Sequence, residues 1–117
     1  MYWEIKFYEK NDGEKPVFNF IKNLPTKHKA KVYQEIELLG KYGIKIGPPR
    51  AIKIKGERYK SLWELRVRFS TSYYRIFYFL YTGRFFILLH AILKKKNRTD
   101  INDLEIARKS MLNYREG

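Results

Sequence analysis

The stretch that decides the fold runs from Leu62 to Arg98, LWELRVRFSTSYYRIFYFLYTGRFFILLHAILKKKNR. Apolar and polar residues alternate through much of it, the period of half-buried strands. Turn-forming residues interrupt the alternation twice, around Ser70-Thr71 and at Thr82-Gly83. The first break joins a strand over 62–68 to one over 73–80 and pairs Arg68 with Tyr73, which sets Arg66 opposite Arg75. The second, taken as a two-residue turn, pairs Tyr81 with Arg84 and sets Arg75 opposite His90. Arg66, Arg75 and His90 then form one row across three strands. The opposite face collects Trp63, Leu65, Val67, Tyr74, Ile76, Tyr78, Ile87, Leu89 and Ala91, and is the face expected to pack on helices. A slip of one residue would send a strand's apolar set outward, so the segregation supports the register.

Like charges directly opposite one another destabilise a strand pair, so the row needs a counter-charge. One source is internal: Glu64, diagonal to Arg75, could form a surface ion-pair ladder worth about 0–1 kcal/mol. The other is a bound anion. Two guanidinium groups offer forked donors that match phosphate oxygens.

Working outward, residues 2–8 (YWEIKFY) read as a first strand, broken by Asp12-Gly13. Pro16 suits a first helical position. Val17, Phe20, Ile21 and Leu24 follow at helical spacing, and Leu24-Pro25 ends that helix. Thr26 is placed to cap a second helix with Val32, Ile36 and Leu39 inward and Gly40 and Gly43 at its exit. Residues 44–50 are irregular, and Ala51–Lys55 reads as a short strand. Thr99 or Asp100 can cap a last helix whose stripe is Ile101, Leu104, Ala107, Met111 and Tyr114. The pattern predicts one domain over 1–117. It is an α+β fold with a twisted antiparallel sheet of about four strands, two N-terminal helices and a C-terminal helix.

Lys and Arg number 25 against 12 Asp and Glu, a formal net charge of +13. Such an excess implies a polyanionic partner, with RNA foremost. Hydrophobic residues make up 44% of the chain and aromatic ones 17%, which argues against disorder. Cysteine is absent, which removes disulfides, thiolate metal sites and a cysteine nucleophile and fits a cytoplasmic setting. No apolar run approaches the roughly 20 residues of a membrane span. The start, MYWEIKFYEK, lacks the apolar centre of a signal peptide. His28 and His90 lie far apart without neighbouring ligands, so no metal site and no cofactor are expected.

The series LWELRV, YYRIFYF and FFILLHAILKKKNR, with the helix starting near Thr99, resembles the HigB/RelE superfamily of type II toxin–antitoxin toxins. The phage-derived, HigB-like branch is the nearest in pattern. The resemblance covers most of the chain and is most specific over 62–98. It implies helices packed on one face of a twisted sheet and a basic concave face opposite. It implies metal-independent cleavage of mRNA on the ribosome, and neutralisation by an antitoxin, often a helix-turn-helix protein. By position it assigns the strand arginines to Arg66 and Arg75, and the basic residues after the last strand to Lys94 and Lys95. His90 stands where many relatives also carry histidine. Some relatives use a tyrosine or histidine near the C-terminus, where this chain offers only Tyr114.

Cleavage without a metal uses the ribose 2′-OH to attack the adjacent phosphorus. Arginine holds its proton, so Arg66 and Arg75 suit stabilisation of the phosphorane. His90 suits acid–base work, and Lys94 binds phosphate or does the same if neighbouring cations depress its pKa. The residues expected to bind RNA around them are Arg68, Tyr73, Lys95, Lys96 and Arg98. Replacing Arg66 or Arg75 by Ala is expected to cost about 10²–10³-fold in rate while the fold survives. The alternative is a non-catalytic basic domain that binds RNA or an antitoxin.

Overall fold

The structure is a computed structural model that describes residues 2–94 and 100–117. Strand β1 (Glu4–Phe7) is followed by helices α1 (Pro16–Lys22) and α2 (Thr26–Tyr42). Strands β2 (Ala51–Lys53), β3 (Trp63–Phe69), β4 (Ser72–Tyr81) and β5 (Phe85–Lys94) come next, and helix α3 (Ile101–Glu116) closes the chain. One-turn 3-10 segments lie at Gly43–Lys45 and Glu57–Tyr59.

Local chemistry accounts for the helix ends. Pro16 opens α1, where its missing N–H would have no helical partner. Thr26 is the first residue of α2 rather than its cap; Pro25 holds the cap position and makes no side-chain bond. Gly43 ends α2 with φ of 54°, and a Cβ there would collide with the Trp3 ring. Asp100 caps α3 by accepting the Asn102 N–H at 2.8 Å.

The five strands form one sheet in the order β1-β5-β4-β3-β2. Two expectations are corrected here. The sheet has five strands rather than about four, and it is mixed rather than antiparallel, because β1 runs parallel to β5 with Glu4 opposite Phe85. Two helices and three strands separate β1 from β5 in sequence, so no turn chemistry fixes their pairing.

The first hairpin holds as read, with Arg68 opposite Tyr73 and Arg66 opposite Arg75. The second does not. Its loop spans three residues, so Tyr81 faces Phe85, and the register shifts again between Phe77 and Tyr78. His90 therefore lies opposite Phe77, and Arg75 lies opposite Ile92. The shift is a bulge at Leu89, which has no partner between Leu88 and His90.

The longer loop and the bulge together re-sort the faces. Phe86, Leu88 and Ala91 join Leu65, Val67, Tyr74, Ile76 and Tyr78 against Val17, Ile21, Val32, Ile36 and Leu39 of α1 and α2. Ile87 and Leu89 face the other way, with Phe77 and Phe79, and pack on Leu104, Ala107 and Met111 of α3. Helices thus cover both faces, not one. The second face is closed toward the Tyr81 end of β4, where Tyr114 meets Phe79 and Tyr81 edge to face. Its other end carries the cationic residues.

Candidate functional site

Three cross-strand rows lie side by side on that face of β3, β4 and β5. They are Glu64–Phe77–His90, Arg66–Arg75–Ile92 and Arg68–Tyr73–Lys94. The alternation of each strand puts these side chains on one face, and the bulge keeps His90 there.

Glu64 is the centre of the cluster. It is 1% exposed, so it is no part of a surface ladder. Arg75 donates from Nη1 to Glu64 Oε1 at 3.0 Å and to Oε2 at 3.1 Å, and Arg66 donates from Nε to Oε2 at 2.9 Å. Arg75 is itself buried, whereas the Arg66 side chain is 42% exposed. One buried carboxylate thus orients two opposed guanidiniums and offsets their repulsion. Charged groups this deep need such a partner, because desolvation otherwise exceeds any gain.

Lys94 ends β5 in the third row. It is buried, and its Nζ has no hydrogen-bond partner among the described residues. Burial lowers its pKa first, and the charge of Arg75 lowers it further; Glu64 and Asp103 act in the opposite sense. A larger fraction of this amine is therefore neutral than for a solvated lysine.

His90 stacks on Phe77 with ring centres 6.0 Å apart and shares a 2.8 Å hydrogen bond between Nε2 and Asp103 Oδ1. The contact joins β5 to the first turn of α3. Arg68 lies 5.2 Å from the centre of the Tyr73 ring, and both are exposed. Lys95, Lys96 and Arg98 fall outside the described residues. Tyr114 belongs to the closed end: Arg75 and Tyr81 are separated along β4 by roughly 20 Å, at about 3.3 Å per residue.

The sequence-predicted residues Arg66, Arg68, Tyr73, Arg75, His90 and Lys94 are thus brought to one end of one face. Sequence reasoning missed three residues beside them. Glu35, 3% exposed, accepts from Arg50 Nε at 3.0 Å and from Lys31 Nζ at 3.3 Å. With Arg66, Arg68, Tyr73 and Arg75 they line a cavity of about 450 Å³ at the β3 edge. Lys31 and Glu35 at i and i+4 were a legible helical pair; nothing local tied Arg50 to them. Asp103, in the first turn of α3, also holds His90. Among the described residues no group of three or more His, Asp and Glu side chains stands close enough to hold a metal ion.

These features define a class: a small basic α+β domain whose sheet presents cations held in place by buried carboxylates. Residues 19–112 match the family described as "Phage derived protein Gp49-like (DUF891)", and the chain belongs to it. It is a RelE/HigB-like toxin family, associated with toxin–antitoxin toxins of the RelE type, and so implies a cognate antitoxin. No curated protein matches the chain. No helix among the described residues is long and apolar enough to cross a membrane.

Proposed function

We propose that this chain is a HigB-like toxin that cleaves mRNA on the ribosome without a metal and so stops translation in the cytoplasm. The observation that carries this is the Glu64–Arg66–Arg75 cluster beside the buried amine of Lys94, which has no hydrogen-bond partner among the described residues. A scissile phosphate seated against the outward edge of Arg66, with Arg75 behind it, meets donors that need no reorganisation as charge develops. The neutral fraction of Lys94 takes the proton of the 2′-OH, or its protonated form supplies one to the departing 5′-oxygen. The oxygen–phosphorus bond to that 5′-oxygen breaks as the 2′-oxygen bonds phosphorus, leaving a 2′,3′-cyclic phosphate and a 5′-OH.

Phe77 and Asp103 orient His90, which adds a second titratable group at the same end of the face. Arg68 and Tyr73 offer a stacking platform for a base. Lys95, Lys96 and Arg98 bind flanking phosphates. A helix-turn-helix antitoxin with an acidic segment would cover this face.

Primer extension on a defined mRNA, with and without ribosomes, tests the proposal. Wild type is expected to give cuts that need ribosomes, and Lys94→Met to give almost none. The rival reading is a non-catalytic domain for RNA or an antitoxin, favoured by the fact that Arg66 and Arg75 already have an internal partner in Glu64. RNA recovered whole after incubation with wild type and ribosomes would establish it.

A further inference from the structure

Glu35 and Glu64 are the buried carboxylates among the described residues, and they are used alike. Each holds two basic side chains: Arg66 and Arg75 on Glu64, Lys31 and Arg50 on Glu35. The two sets are neighbours. Arg50 immediately precedes β2, and its carbonyl accepts the Arg66 N–H at 2.7 Å. Both sets reach the cavity at the β3 edge, which Lys31, Glu35, Arg50, Arg66 and Arg75 line together with Tyr73.

A structural role for Glu35 alone would not require two cations. Its side chain is 4% exposed, whereas that of Arg50 is 56% exposed and that of Lys31 31% exposed. The acid is buried and its partners reach water. Arg50 meets Glu35 through Nε, which leaves its terminal amino groups for an outer acceptor. The lone carboxylate cannot neutralise both cations, so the set carries an excess positive charge into the cavity.

The geometry points to a second phosphate subsite, formed by Lys31 and Arg50 and held in position by Glu35, for the nucleotide next to the one on Arg66 and Arg75. This rests on the RNA reading proposed above and specifies it: the ligand is single-stranded RNA followed over two phosphates, bent across the β3 edge past Arg68 and Tyr73. Lys31 and Arg50 are binding residues and Glu35 is a positioning residue.

The test uses the full chain and 2′-O-methyl RNA tetranucleotides, which bind but cannot be cleaved. Each carries one uncharged methylphosphonate linkage, placed in turn at each position, and binding is followed by fluorescence anisotropy. In wild type two linkages are expected to matter, each costing about tenfold in affinity when neutralised. The triple variant Lys31→Gln/Glu35→Gln/Arg50→Gln removes both binding cations, and with them the one excess charge of the set, without stranding a buried carboxylate. It is expected to lose its response at one linkage only, and the slope of log affinity against log salt should fall by about 0.7. Arg50→Lys, which keeps the charge, should retain most of that response. Two sensitive linkages that persist unchanged in the triple variant would overturn the subsite, as would a single sensitive linkage in wild type. Wild type that binds no tetranucleotide, or ignores every linkage, would instead overturn the RNA reading beneath it.

Discussion

Lys94 hides an amine from water with no acceptor among the described residues, a cost that stability alone does not explain. Lys94→Met keeps the chain length and removes the unmatched group. Its stability to urea is expected to equal or exceed that of wild type, while cleavage falls about 10²–10³-fold, the scale of losing one group that acts in the transition state. A variant that cuts at the wild-type rate would remove Lys94 from the chemistry. The lowered pKa also has a signature in stability. Between the depressed folded value and the ordinary 10.5, the unfolded chain binds the proton more tightly, so the Lys94 contribution makes stability rise with pH across that window. Wild type minus Lys94→Met should show that slope in urea midpoints. Arg75 behaves in the opposite way. It was legible as a row member, but its dependence on a buried Glu64 was not, since strand alternation alone does not say how deep a carboxylate sits. Arg75→Ala leaves that buried carboxylate with Arg66 as its remaining partner and is expected to cost about 2–3 kcal/mol, so the fold does not pass through this change unharmed. Glu64→Gln/Arg75→Gln should cost much less by the same denaturation assay.

At the scale of elements, the first hairpin could be read because two polar turn residues separate two clean alternations. Ser70 takes φ of 55° there, as the tight turn demands. The second hairpin could not. Thr82-Gly83 resembles a two-residue turn, yet the loop holds three residues, and the bulge at Leu89 lies inside the continuous apolar run FFILLHAIL, where alternation carries no signal. The same run hid the second apolar face and hence the place of α3. That helix is fastened to the Glu57–Tyr59 turn by Arg58, which donates from Nε and Nη2 to Glu105 at 2.8 Å each, and by the Tyr59 hydroxyl. The Arg58 and Tyr59 hydrogen bonds hold the Glu105 pKa down to about 2, from 4.5. A depressed carboxylate contributes its stability above the unfolded value and loses it as pH falls through the folded one. Amide protection in α3 is therefore expected to fall as pH drops from about 4.5 toward about 2. Glu105→Gln should show the weaker protection already at neutral pH and no further loss over that interval. Equal protection in both proteins across the range would mean that the apolar contacts of Leu104, Ala107 and Met111 hold α3 without this bond.

For the whole molecule, charge was legible from composition and the parallel partner of β1 was not, because pairing across most of the chain length is settled by closure of the core rather than by any local pattern. Closure leaves helices on both faces and one open end of the sheet, and there cations face each other with Glu64, Glu35 and Asp103 as their acidic partners among the described residues. A net charge of +13 makes the folded chain repel itself. Raising salt from about 10 mM to about 150 mM shortens the screening length from roughly 30 Å to roughly 8 Å. The melting temperature of wild type is expected to rise over that interval. A fall would mean that surface pairs such as Lys60–Glu57 outweigh the repulsion. A polyanion that fits the open end should do more than screening, since a ligand bound only by the folded state adds about 2.7 kcal/mol at a hundred times its dissociation constant. At one fixed salt concentration, a 2′-O-methyl RNA should therefore raise the melting temperature of wild type more than an equal concentration of phosphate groups from inorganic polyphosphate. Equal shifts from the two polyanions would mean that diffuse charge accounts for binding, and that the carboxylate-held cations are no more selective than the rest of the surface.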